Sequence, residues 1–227
     1  MANSINGAVH NFNNVLDNRK QFLEEVGVDI NNTICMWVTH GNEIVEADMK
    51  LSGVSMLDYQ KAVKVDGLFT NKKGIYLFLL IADCLPIIIY DPDKNVVALI
   101  HAGWKGVDLE IAKNAVYSLL KRYASDPKDL IVGIGPCVYK ESYIKNTPSQ
   151  IDDPRWRNYL KLVQKNIYCI DLVGFTKKQF IECGVLRKNI FESGINTAKN
   201  NNFFSHIRDM RFPLDKQGRF ACVVGLK

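Results

Sequence analysis

The chain has 227 residues, 47% of them hydrophobic and 23% charged, and carries a formal net charge of +5. That balance excludes collagen-like, coiled-coil and wholly disordered classes and predicts an ordinary folded domain. Basic and acidic residues are interspersed, so the modest positive excess predicts no nucleic-acid partner. The longest apolar run, residues 74–90, is broken by Asp83 and Pro86, too early for a membrane span.

Six cysteines are spread widely: Cys35, Cys84, Cys137, Cys169, Cys183 and Cys222. No two are spaced as a CxxC pair, which removes the main support for zinc-ribbon and thioredoxin-type readings. The Asn-rich N-terminus lacks a basic stretch followed by an apolar one, so no secretory signal is expected. Reduced thiols and a cytoplasmic location follow as the expectation.

In chain order, residues 11–14 read as an Asn-rich loop. Residues 18–26 read as a helix with Phe22, Leu23 and Val26 on one face, stopped by Gly27. Residues 33–39 read as a strand delivering His40 and Gly41. Residues 74–81 form a buried strand and 87–90 a second apolar segment, followed by the Asp91-Pro92-Asp93 turn. Residues 96–100 are a strand ending at His101, and 109–123 have helical periodicity. Residues 130–134 run as a strand into Gly135-Pro136-Cys137. Residues 167–172 are a short strand, 177–183 a short helix before Gly184, and 220–226 a C-terminal strand. Strands and helices do not alternate strictly, which favours an α+β core of mixed sheets with helices outside.

Three buried segments end in reactive residues: His40, Asp83-Cys84 and His101. Two imidazoles and one thiolate suit Zn²⁺ and leave a fourth coordination place open. The same atoms suit a nucleophilic Cys84 with His101 as base and Asp83 or His40 as orienter, and sequence does not separate the two. Lys105 follows His101 between glycines, before a helix N-terminus that favours anions. Cys137 is equally a near-site thiol or a small core residue. The fork of Arg208 suits phosphate.

Together these segments closely resemble the YfiH, or laccase-domain, family, once called multicopper polyphenol oxidases and now read as purine nucleoside phosphorylases. The resemblance rests on Asp66-Gly67-Leu68-Phe69-Thr70, Ala82-Asp83-Cys84-Leu85-Pro86 and His101-Ala102-Gly103-Trp104-Lys105-Gly106. Further matches are Asn18-Arg19, His40-Gly41, Gly135-Pro136-Cys137 with Tyr143, Ile170-Asp171-Leu172, the stretch 203–209, and Gly218-Arg219-Phe220. It implies a single-domain four-layer α/β/β/α sandwich with mixed β-sheets over residues 1–227, with 1–17 as a divergent N-terminal segment. It implies a zinc site of His40, Cys84 and His101. It also implies phosphorolysis of adenosine, inosine and guanosine, cleavage of methylthioadenosine, and adenosine deamination.

On that implication the partners are a purine nucleoside and phosphate, with Arg208 and Lys105 balancing phosphate charge and Asp83 orienting a ligand or acting as acid/base. The expected assembly is a monomer or homodimer. Two rivals remain: a copper-dependent polyphenol oxidase, and a noncatalytic metal- or nucleoside-binding protein. Four histidines are too few for the three-copper cluster of a laccase. The chain departs from the family at Val38 (usually Gln), Ile207 (usually the first of two arginines) and Asn196 (usually Cys before Thr), and residues 1–17 lack the usual Gly- and Ser-rich loop.

Overall fold

The computed structural model describes residues 12–213 and 216–227; most of the divergent N-terminal segment, including His10, lies outside them. The chain runs α1 (Phe12–Glu25), β1 (Thr33–Cys35), β2 (Ile44–Glu46), α2 (Val54–Leu57), β3 (Gly67–Thr70), β4 (Tyr76–Ile81), β5 (Leu85–Asp91) and β6 (Val96–Ala102). It continues α3 (Trp104–Asp108), α4 (Ile111–Tyr123), β7 (Ile131–Ile134), β8 (Ile144–Asn146), β9 (Leu160–Gln164), β10 (Ile167–Ile170), α5 (Leu172–Glu182), β11 (Ile190–Glu192), α6 (His206–Asp209) and β12 (Phe220–Gly225).

Strand alternation sorts these elements into layers, because successive side chains face opposite sides of a sheet. The larger sheet has the order β11-β7-β5-β6-β3-β2 and mixes parallel and antiparallel pairs. One face sends Ile87, Ile89, Ala98, Ile100 and Val132 against Ile111, Ala115, Val116 and Leu119 of α4 and Phe175 and Phe180 of α5. The other face sends Leu68 and Leu99 against Leu77, Leu79 and Ile81 of the smaller mixed sheet β1-β4-β12. Phe78 and Cys35 point out of that smaller sheet onto Leu23 of α1 and Met56 of α2. Helices, sheet, sheet and helices therefore stack in four layers. A separate antiparallel sheet, β8-β10-β9, stands beside this stack.

Local readings needed correction where packing overrode residue type. The first helix begins at Phe12, so Asn13 and Asn14 are helical rather than looped. Val15, Arg19 and Leu23, four residues apart, are its buried stripe, while Val26 is exposed. The strand read over 33–39 stops at Cys35, and the chain then makes only a bridge from Met36 to Val63. The helix read over 109–123 begins at Ile111, and Glu110, with a left-handed backbone, separates it from the short helix α3. The helix read over 177–183 begins earlier, at Leu172, because the Asp171 carboxylate caps it by accepting from Gly174 N–H at 2.8 Å.

The topology gathers one end of each sheet. Parallel β1 and β4 finish on the same side, and antiparallel β12 begins there. In the larger sheet the register pairs Gly67 with Ile100 and Pro86 with His101, so the starts of β3 and β5 lie beside the end of β6. His40, Asp66, Cys84, His101 and Arg219 all belong to these strand ends or the turns beside them.

Candidate metal centre and its cavity

His40, Cys84 and His101 each offer one ligand atom, and these atoms lie within 4.8 Å of one another. The two imidazole rings meet edge to face with centroids 4.9 Å apart. His101 is buried, Cys84 partly buried and His40 exposed. The triangle is therefore rooted in the sheet and open on one side. Among the described residues it is the one group of three or more His, Cys, Asp or Glu side chains arranged to hold a metal.

Asp66 holds this triangle in place. It is fully buried. Its Oδ1 accepts from His101 Nδ1 at 2.8 Å and from His40 N–H at 2.9 Å. Its Oδ2 accepts from Gly41 N–H at 2.8 Å, from Thr39 N–H at 3.3 Å and from the Thr39 hydroxyl. Burial alone would raise this carboxyl, but the hydrogen bonds from His101, Thr39 and Gly41 outweigh it and bring it down to about 2. An ionised carboxylate only accepts, so Nδ1 of His101 carries the proton and Nε2 is the atom left for a ligand. The same bonds support the left-handed backbone of His40, at φ 59°.

Burial would likewise raise the Cys84 thiol. The charge of His101 and hydrogen bonds from both imidazoles overcome it and lower the thiol to about 6. Burial would lower His101, but the Cys84 thiolate and Asp66 raise it to about 9. The sulfur is thus a thiolate near neutrality, the form that binds metal, and its imidazolium partner His101 holds a proton on Nε2 that a metal ion would displace.

Two imidazoles and a thiolate with one open side are the donor chemistry of a catalytic zinc site. The backbone fits this role too. A Cβ on Gly103 would stand 3.3 Å from Cys84 Sγ, from His101 Cε1 and from His40 Cδ2. Only a residue without a side chain lets α3 start against the three donors without crowding them.

The triangle borders a cavity of about 350 Å³, within the range of small-molecule sites. Trp37, Val38, Leu80, Val138, Tyr143 and Trp104 supply apolar and aromatic wall; Arg19, Lys145, His206 and Arg219 supply basic groups. Asp83 lies on the wall in a left-handed conformation, at φ 77°. Both its oxygens are engaged: Oδ1 accepts from the Thr197 hydroxyl at 2.6 Å and Oδ2 from Ile207 N–H at 2.7 Å. Its carbonyl accepts from Val138 N–H at 2.8 Å. Asp83 thereby ties the segments around 138, 197 and 207 to the Cys84 turn.

The other sequence candidates lie off the cavity wall. Arg208 donates to the carbonyls of Thr197 at 3.1 Å, Asn200 at 3.2 Å and Phe203 at 2.7 Å, and pairs with Asp209 at 3.2 Å. It clamps a loop. Lys105 is exposed, with its ammonium 5.8 Å from the Trp104 ring centroid. Cys137 is fully buried in the helix-side core, and burial pushes its thiol up. Two of the departures from the family pattern, Val38 and Ile207, line the cavity. Asn196 donates to Glu141 at 2.8 Å.

Asp66 and Arg219 sit within motifs visible in the sequence, yet nothing in their spacing reveals their roles. The pairing of β3 with β6 brings Asp66 to His101, and the pairing of β12 with β4 brings Arg219 beside the Cys84 turn.

Residues 3–227 match the model of the family described as multi-copper polyphenol oxidoreductase laccase, and the chain belongs to that family. It is 28% identical over 224 residues to purine nucleoside phosphorylase YlmD of Bacillus subtilis, covering 94% of this chain and 77% of that one. It is 31% identical over 207 residues to purine nucleoside phosphorylase YlmD of Geobacillus stearothermophilus, covering 86% and 74%. The crystal structure of YlmD from Geobacillus stearothermophilus superposes with a TM-score of 0.86 at 29% identity, covering 94% of this chain and 80% of that one. Among the described residues no helix is long and apolar enough to cross a membrane.

Proposed function

We propose that the chain is a zinc-dependent purine nucleoside phosphorylase acting on adenosine, inosine and guanosine. It also cleaves methylthioadenosine, and adenosine deamination is its side activity. One observation carries the proposal: a His-Cys-His donor triangle borders a cavity with aromatic walls for a purine and basic groups for phosphate. Relatives over most of the chain bear the name purine nucleoside phosphorylase.

His40, Cys84 and His101 would hold the ion, and Asp66 would fix the tautomer of His101. Zinc, when bound, supplies a Lewis acid that polarises an oxygen and lowers the pKa of water. Trp37, Trp104 and Tyr143 would flank the purine and exclude water from the glycosidic bond. In phosphorolysis a phosphate oxygen bonds to the ribose C1′ as the bond from C1′ to the purine nitrogen breaks, its electron pair leaving with the base. The cationic wall offsets phosphate charge during that transfer. Asp83 acts by position: with both oxygens engaged, it holds the turn that presents Cys84.

The family description favours a second reading, copper-dependent phenol oxidation, for which the triangle also has suitable donors. A laccase needs a further histidine-rich three-copper cluster. With His40 and His101 in the triangle, two of the four histidines of the chain remain.

Purified protein incubated with inosine or adenosine, with and without phosphate, tests the choice. The expected result is phosphate-dependent release of free base, stoichiometric zinc, and loss of both in Cys84→Ala. Copper at stoichiometric occupancy with phenol oxidation would overturn it, and full zinc occupancy without any nucleoside turnover would point to a binding protein.

A further inference from the structure

The cavity has more positive charge than its own residues balance. Its wall carries Arg19, Lys145 and Arg219 against two anions, the Cys84 thiolate and Asp83, and both oxygens of Asp83 are already engaged. The three cations differ in how they are held. Arg19 donates to the Met56 carbonyl at 2.8 Å and lies over the Phe78 ring. Lys145 lies over the Tyr143 ring. Arg219 donates to the adjacent Gly218 carbonyl at 2.8 Å, and among the described residues no carboxylate lies within ion-pair distance of it. Burial pushes its guanidinium below the usual range, and the charges of Cys84, Asp83 and Asp209 offset this only in part.

Arg219 is also rigidly mounted. It immediately precedes β12, whose first residue, Phe220, pairs with Ile81 at the end of β4. That register sets Arg219 opposite Ala82, two residues from Cys84. Gly218 fixes the approach: a Cβ there would stand 2.2 Å from the Phe204 ring, so Phe204 packs directly on the backbone that presents Arg219. A planar fork of donors on a sheet end, facing a cavity, suits two oxygens of one tetrahedral anion.

We propose that Arg219, rather than Arg208, is the anion-binding residue of the cavity and takes the phosphate co-substrate. That phosphate is the physiological anion rests on the phosphorylase function proposed above; the anion site itself does not. Arg208 is occupied by three carbonyls and Asp209, and serves the loop.

Two measurements test this on the zinc-loaded protein. Calorimetric titration with inorganic phosphate compares wild type with Arg219→Gln and Arg219→Lys, alongside KM for phosphate and for inosine. Arg219→Gln should weaken phosphate binding and raise the phosphate KM by about tenfold to a hundredfold. The inosine KM should change far less, and Arg219→Lys should restore part of the loss. The second needs no variant. Phenylglyoxal labelling of wild type, mapped by mass spectrometry, should be blocked by phosphate at Arg219 and be indifferent to phosphate at Arg208. Unchanged phosphate binding in Arg219→Gln, or labelling of Arg219 that ignores phosphate, overturns the proposal. Phosphate binding that depends on Arg219 without turnover of any nucleoside would instead refute the phosphorylase function and leave the anion site standing.

Discussion

Cys84 immediately precedes β5, Cys137 follows the paired strand β7, and Asp83 ties the two turns together, yet their chemistry is opposite. Cys84 stands between two imidazoles, one backed by Asp66, and its thiol is brought down to about 6. Cys137 stands among apolar side chains of the helix-side core, and burial pushes its thiol up. Cys84 is partly buried and Cys137 fully, and burial acts to raise both thiols. The difference comes from the histidines, and from the carboxylate that orients one of them.

The sharpest way to break this comparison is to remove each sulfur in turn. Cys84→Ala should abolish stoichiometric metal and with it nucleoside turnover. Next in size, Asp66→Asn should weaken zinc affinity by about tenfold to a hundredfold, because the His101 ring loses its charged acceptor; competition with a chelator reads this. Gly103→Ala should weaken zinc by less, through contact with all three donors, while the melting temperature stays close to wild type. Arg208→Gln should keep its metal, lose roughly 1–3 kcal/mol of stability on denaturant unfolding, and lower turnover by loosening the loop that carries Ile207. Smallest at the site, Cys137→Ala should cost ~1–2 kcal/mol of stability and leave zinc content unchanged.

The three donors were legible in the sequence because each follows or ends a buried apolar segment, where a polar reactive residue stands out. The layered fold was legible only with the family resemblance, since the short strands β2, β8, β9 and β11 have no clear apolar alternation. Asp66 and Arg219 were hidden for a different reason. Their roles depend on which strand pairs with which, in what register, and a linear reading contains neither. Arg208 and Arg219 lie eleven residues apart and look alike in the sequence. Only the carbonyls that surround one guanidinium, and the cavity beside the other, tell them apart.

The comparison of the two cysteines converges on one measurement: free purine base released from inosine by zinc-loaded Cys137→Ala and by Cys84→Ala, each with and without phosphate. Phosphate-dependent release near the wild-type rate in Cys137→Ala, and none in Cys84→Ala, is the predicted result. Equal release by both variants, or release that ignores phosphate, would contradict a phosphorylase built on the Cys84 centre.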